Sequence, residues 1–187
     1  MAEFLSEHYT ATAGGSTIDD PRLKVAAGLG HSKLHYKRGE VLAPAAITTG
    51  DVLRFFSMKT SDRLSKLIIS TEAGFTGTGQ PADCGFYQTD LGVVVDSDAI
   101  IAGGVAPLDD LTIGIDGVDL LGVDVSEWHA GLRGLPIWKA IDTVLGTALY
   151  DTDPHEVWDV CLTMGTENSV SAGGIIVLEA YYTTAGG

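Results

Sequence analysis

Long apolar runs are missing from these 187 residues. None approaches the roughly 18 residues of a membrane-spanning helix, and the opening MAEFLSEH carries acids where a secretion signal carries bases. The expectation is a soluble chain, with no membrane partner and no standard export signal. Cysteine is scarce: Cys84 and Cys161 lie far apart in strand-like apolar segments, which fits buried free thiols better than a disulfide, redox or zinc motif. Basic residues are few, 11 against 25 acids, giving a net charge of -14. Nucleic-acid binding needs bases interleaved with aromatics along a groove. An acidic body repels phosphates, so nucleic acid is not an expected partner.

Motifs that carry chemistry are absent too. There is no GxSxG and no GxxxxGK[ST], and GLGHSK has its glycines and lysine at the wrong spacing. His31 and His35 would share a face of a helix, but no third zinc ligand of the HExxH kind stands nearby. Paired acids such as Asp96 with Asp98, Asp109 with Asp110 and Asp151 with Asp153 sit beside Gly, Ser, Thr or Pro. There an aspartate accepts hydrogen bonds from neighbouring amides in turns and at strand ends. None follows the spacing of a calcium loop. Two acids could meet after folding to form a hydrolase pair, which position along the chain does not fix. The expectation is a non-enzyme with no catalytic residue, metal or cofactor.

What is present is a globular composition, 45% hydrophobic and only 19% charged, with 24 glycines. That balance excludes a disordered chain or a coiled coil. Charge is unevenly spread. Arg22, Lys24, Lys33, Lys37, Arg38, Arg54, Lys59, Arg63 and Lys66 face only Glu40, Asp51 and Asp62 between residues 22 and 66; beyond residue 66 only Arg133 and Lys139 oppose the acids. A basic N-terminal region joined to an acidic body suggests two different surroundings.

Residues 1–50 show no sustained periodicity and are broken by AGGST, DDP, GLGH and LAPAAITTG. They read as an extended N-terminal arm, with the domain proper over 51–187. From Val52 onward the segments VLRFFSMKT, SKLIIST, CGFYQTD, GVVVDS, LTIGI, WDVCLTMG and GGIIVLEAYYTT have strand length and β-rich composition. Turn residues separate them, the pattern of an antiparallel β-sandwich. Trp158, Val160, Leu162 and Met164 alternate with Asp159, Cys161 and Thr163, as Ile176, Leu178, Ala180 and Tyr182 do with Val177, Glu179, Tyr181 and Thr183. In each strand the first set should face the core. Leu53 and Phe55 should face opposite to Arg54 and Phe56, and Asp116-Gly117 suits a tight hairpin turn. LPIWKAIDTVLG holds apolar residues at helical spacing between Pro136 and Gly146, which predicts one short helix.

The order of these segments carries a resemblance. Asp83, Gly85, Phe86, Tyr87, Gln88 and Thr89 are followed by Val94, Val95, Asp96 and Asp98; then come Trp138 and Gly146, then Asp153, Pro154, Trp158, Asp159, Leu162 and Thr163, and finally Tyr181 and Tyr182. Over residues 52 to 184 this set resembles a group of tailed-phage accessory virion proteins of the head decoration or cement type. The resemblance implies a mainly β fold, a jelly-roll-like antiparallel sandwich. It also implies a non-enzymatic structural protein, made in the host cytoplasm and placed on the outer surface of the phage head, that binds the major capsid protein and itself, as a homotrimer. On that reading Arg22, Lys24, Lys33, Lys37 and Arg38 are capsid-contact candidates. Tyr87, Gln88, Tyr181 and Tyr182 are subunit-interface candidates, Phe86 and Val94 belong to the core, and Asp96 with Asp98 closes a turn. The alternative is a tail- or fibre-associated module recognising carbohydrate or a receptor, which would display Trp128, Trp138, Trp158 and the tyrosine pair on one exposed face.

Overall fold

Alternation at period two places every second side chain of a strand on one face, and the two C-terminal apolar segments show it most clearly. In the computed structural model they are β7 (Val157–Met164) and β8 (Ile175–Thr183), and each becomes an inner strand of its own sheet. The structure describes residues 34–42, 49–71, 81–89, 93–103, 107–108, 111, 114–123, 126, 128, 132–146, 150, 152–165 and 174–184. All of them fall within the compact unit Leu34–Ala185.

Six further strands complete the sheets: β1 (Leu34–Leu42), β2 (Val52–Lys59), β3 (Arg63–Thr71), β4 (Ala82–Gln88), β5 (Val94–Ile101) and the short β6 (Val118–Asp119). Pairing is nested. β1 pairs with β8, β2 with β7, β3 with β6 and β4 with β5, all antiparallel. The chain is thus one long ribbon doubled back on itself. Two further pairings, β8 with β3 and β7 with β4, roll that ribbon up. The resulting sheets have the orders β1-β8-β3-β6 and β2-β7-β4-β5, the arrangement of a jelly roll.

The core lies between the sheets. Leu64, Leu67 and Ile69 of β3 and Ile176, Leu178 and Ala180 of β8 meet Trp158, Val160, Leu162 and Met164 of β7 and Cys84 and Phe86 of β4, all buried. The Phe86 ring stands 5.8 Å from that of Trp128 and 6.3 Å from that of Trp158, tilted in both cases. Such pairs each add about 0.5–1.5 kcal/mol beyond the area they bury. The predicted helix is α1 (Ile137–Val144), opened by Pro136 and followed by Gly146 at φ +64. Its first amides donate to the β2–β3 turn, Ile137 N–H to the Asp62 carbonyl (2.9 Å) and Trp138 N–H to the Thr60 carbonyl (3.2 Å). Helix donors that would otherwise lack partners are thereby satisfied. Among the described residues no helix is long and apolar enough to cross a membrane.

Several local expectations differ from the structure. The segment read as an arm over 1–50 contains β1, nine residues paired without interruption to β8. It was hidden because its outward side chains are mixed, Leu34, Tyr36, Arg38, Glu40 and Leu42, and no buried stripe announces it. In β2 a bulge between Arg54 and Phe56 breaks strict alternation: Arg54 lies opposite Cys161 and Phe56 opposite Val160, so Phe56 packs against the core. An extra residue in one strand moves the following side chain to the other face. Gly117 takes φ +65 but Asp116 has no positive φ, and Val118 and Asp119 pair with β3, so no tight hairpin forms there. Of the expected strand LTIGI, Leu111 lies in a 3-10 turn and residues 114 and 115 are not in a strand; 112 and 113 fall outside the described residues. Asp96 and Asp98 lie inside β5 and do not close a turn. Val94, expected in the core, is 51% exposed at the open end of the same strand, while Phe86 is buried.

Gly85 explains itself by contact. A β-carbon there would overlap the Asp96 carbonyl oxygen and the Ser97 backbone of β5. Gly85→Ala must push β4 and β5 apart, and overpacking of this kind costs about 1–3 kcal/mol. Chemical unfolding of the variant should show that loss; unchanged stability would mean the strands do not approach as described.

Candidate interaction surface

The outer face of the β2-β7-β4-β5 sheet is built by the residues that alternate with the core. Asp159 of β7 is buried there and collects three donors: Arg54 Nη1 at 2.5 Å, Ser57 Oγ at 2.7 Å and Thr89 Oγ1 at 2.9 Å. The Arg54 guanidinium also lies 5.7 Å from the centre of the Tyr87 ring, and the Tyr87 hydroxyl is 2.9 Å from Thr163 Oγ1. One carboxylate thus ties β2 and the end of β4 to β7. Burial acts to raise the Asp159 pKa, but the hydrogen bonds from Ser57, Arg54 and Thr89 outweigh it and hold the carboxyl below its ordinary value.

The Asp159 oxygens are occupied by donors. Burial pushes the neighbouring Cys161 thiol up to about 12 and raises Cys84 as well, so neither supplies thiolate at neutral pH. Both cysteines are free and buried. Among the described residues no group of three or more His, Cys, Asp or Glu side chains is placed to hold a metal ion.

The outer face of the other sheet is different in character. Tyr36 of β1 and Tyr181 of β8 are neighbours, ring centres 5.3 Å apart, and the Tyr36 hydroxyl donates to Glu179 Oε1 at 2.6 Å. That bond to a carboxylate, above all, raises the Tyr36 pKa. Arg38 lies 2.9 Å from Glu40 and 3.8 Å from Glu179. Around this charged strip Leu34 (62%), Tyr36 (50%) and Leu42 (64%) are left in water.

The residues singled out from the sequence fall in different places. Lys37 turns toward β2, its Nζ 2.5 Å from the Ser57 carbonyl and 5.6 Å over the Tyr182 ring, so this cation closes the seam between the sheets. Arg38 faces outward within the strip just described. Arg22, Lys24 and Lys33 lie outside the described residues. Tyr87 is buried on the outer face of one sheet, Gln88 is half-buried beside it, Tyr181 is half-buried on the outer face of the other, and Tyr182 is buried on the inner side against His35. His35 sits in a strand, not a helix; His31 lies outside the described residues. The Arg54–Ser57–Thr89–Asp159 cluster was missed. Its members are far apart in the chain, and only the register of β2, β7 and β4 joins them.

A shallow hollow of about 270 Å³ lies where β2 ends and β7 begins, lined by Lys59, Thr60, Ser61, His155, Glu156 and Val157. His155 has φ +56 and donates its amide to Asp153 Oδ1 at 2.9 Å, a local turn of the kind Asp favours.

No known protein family and no curated protein matches the chain. Among solved structures it is similar to a chain in "Capsid of Ralstonia phage GP4", at 12% identity and a TM-score of 0.53, covering 83% of this chain and 86% of that one. It is also similar, at 10% identity and a TM-score of 0.46, to a chain in "Cyanophage Pam1 capsid asymmetric unit", covering 86% of this chain and 89% of that one. At such identities the first likeness establishes a shared fold.

The Asp159 cluster sets a pH dependence. Because its folded pKa is lowered, the stability it contributes is present above the ordinary aspartate value of 3.8 and is lost as pH falls through the lower folded value. Asp159→Asn should therefore lose about 1–3 kcal/mol at neutral pH, and the gap to the unsubstituted protein should narrow below pH 3.8. Urea unfolding at about pH 7 and about pH 3 reads both; equal losses at the two values would contradict the assignment.

Proposed function

We propose that this chain is a non-enzymatic structural component of a tailed-phage virion, a decoration or cement protein that binds the major capsid protein on the outer surface of the head. The observation that carries the reading is the fold likeness to a chain of a phage capsid structure over more than four-fifths of both chains. It is supported by the ordered motifs read from the sequence, whose residues have physical places in the fold. Gly85 permits close strand approach, Asp159 ties β2 and the end of β4 to β7, and Pro154 lies between Asp153 and His155, whose contact shapes the entry to β7. The described surface also fits a protein that works by adhesion. On it Arg54 is paired with Asp159, and Arg38 with Glu40 and Glu179.

Lys37 and Arg38 are engaged within the body, so on this reading the capsid-facing charge is carried by Arg22, Lys24 and Lys33 ahead of β1. Repetition across a symmetric shell multiplies modest contacts, raising apparent affinity by roughly 10² to 10⁴. The tail- or fibre-module alternative has less support. Trp128 and Trp158 are buried and Trp138 is partly buried, so no exposed tryptophan face is formed by them.

Imaging of intact particles should show this chain on the outside of the shell; its absence from the shell ends the reading. With purified shells lacking the protein, Arg22→Glu/Lys24→Glu/Lys33→Glu should lower affinity at least ten-fold at low salt. The difference should shrink at about 1 M salt, where the screening length falls to about 3 Å. Undiminished binding at low salt would remove the basic segment from the contact.

A further inference from the structure

We infer that the free edge of β1 is a self-association edge, joining two copies of this chain through antiparallel β1–β1 pairing centred on Gly39. Edge strands present unpaired backbone donors and acceptors, and proteins ordinarily blunt them by shortening, bulging or charging them. The four sheet edges here differ in that respect. β6 is two residues long, and the pairings of the edge strands β2 and β5 contain register shifts. β1 runs nine residues in unbroken register and contains no proline; it is charged, but its outward charges Arg38 and Glu40 are of opposite sign and Lys37 is held inward. Among the described residues it pairs with β8 alone.

The side chains select both the occupant and the register. Leu34, Tyr36, Arg38, Glu40 and Leu42 all face outward, and directly opposite residues of an antiparallel pair point to the same side. Two copies related by a two-fold axis perpendicular to the sheet must therefore match outward residues with outward ones. Centred on Gly39, the pairing sets Arg38 of each copy opposite Glu40 of the other, and Tyr36 opposite Leu42. Shifting the centre to Arg38 places Arg38 against itself. Shifting it to Glu40 places Glu40 against itself and Arg38 against Leu42. Only the Gly39 register satisfies both charges twice while setting the exposed Tyr36 against the exposed Leu42. Such an isologous contact closes at two copies. Gly39 is itself fixed by the fold, since β1 lies so close to β2 that a β-carbon there would sit 2.5 Å from the Phe55 carbonyl oxygen. Lys37 does not obstruct the approach, because it is held inward at the Ser57 carbonyl.

This inference does not rest on the capsid reading and is tested on the purified chain. Sedimentation velocity of the unsubstituted protein should show a concentration-dependent monomer–dimer equilibrium. Arg38→Glu places acid opposite acid and Glu40→Arg places base opposite base, so each alone should weaken self-association at least ten-fold. An equimolar mixture of the two variants sets the two acidic side chains of one chain against the two basic side chains of the other, and should recover the dimer. Circular dichroism verifies that each variant is folded. Amide exchange on the unsubstituted chain gives a reading that needs no variant: β1 amides facing away from β8 should be protected at high concentration and exchange freely on dilution. Exchange of those amides at every concentration overturns the proposal, as does a dimer that both substitutions leave intact. Protection that arises only when phage shells are added would assign the edge to a strand of another protein and overturn it equally.

Discussion

Everything in this fold depends on the face-to-face burial of β7 and β8, the inner strands of the two sheets. Each has two strand neighbours, and each directs an uninterrupted apolar row at the other sheet: Trp158, Val160, Leu162 and Met164 from β7, and Ile176, Leu178, Ala180 and Tyr182 from β8. Burying one large apolar side chain contributes about 1.5–3 kcal/mol, so these rows supply a large part of the gain that offsets ordering the chain. The nested pairing follows. With β7 and β8 inside, the first strands of the chain must lie beside them, and the ribbon closes into a jelly roll.

The reverse face of β7 gives the fold its second character. A strand with neighbours on both sides and a core on one face still has an outer face, and here it is occupied by Asp159 and Cys161, both buried. A buried carboxylate is costly unless it is paired and hydrogen-bonded. Arg54, Ser57 and Thr89 satisfy it, and in doing so lock the register of β2 and the end of β4 to β7. The same use of polar contacts holds at the seam, where Lys37 of β1 reaches the Ser57 carbonyl of β2. Cations that sequence alone marks as available for a partner are partly consumed in holding the sandwich together.

Much of the fold was legible. The strands β2, β3, β4, β5, β7 and β8 and the helix α1 lie where β-branched and aromatic runs, turn residues and the Pro136 and Gly146 punctuation predict them. Strict alternation identified the core faces of β7 and β8 because central strands present one wholly apolar side. Reading failed where that condition lapsed. β1 is an edge strand, inward at His35, Lys37 and Gly39, so it lacks the apolar stripe that alternation arguments need. The β2 bulge reassigned Phe56, and Asp96 and Asp98 looked like turn residues while belonging to the irregularly paired β5.

The sequence by itself determined that this is an acidic, mainly β sandwich with a helix over Ile137–Val144 and two unpaired cysteines, since composition, period and punctuation are local properties. Only the tertiary structure decided which strands meet, that Asp159 gathers donors from β2 and the end of β4, that Lys37 turns inward, and that β1 is left as the long regular edge. The physical reason is range. Periodicity acts between residues a few positions apart, whereas register between strands far apart in the chain is set by packing the two faces against each other, and that choice leaves no mark in any single stretch of the chain.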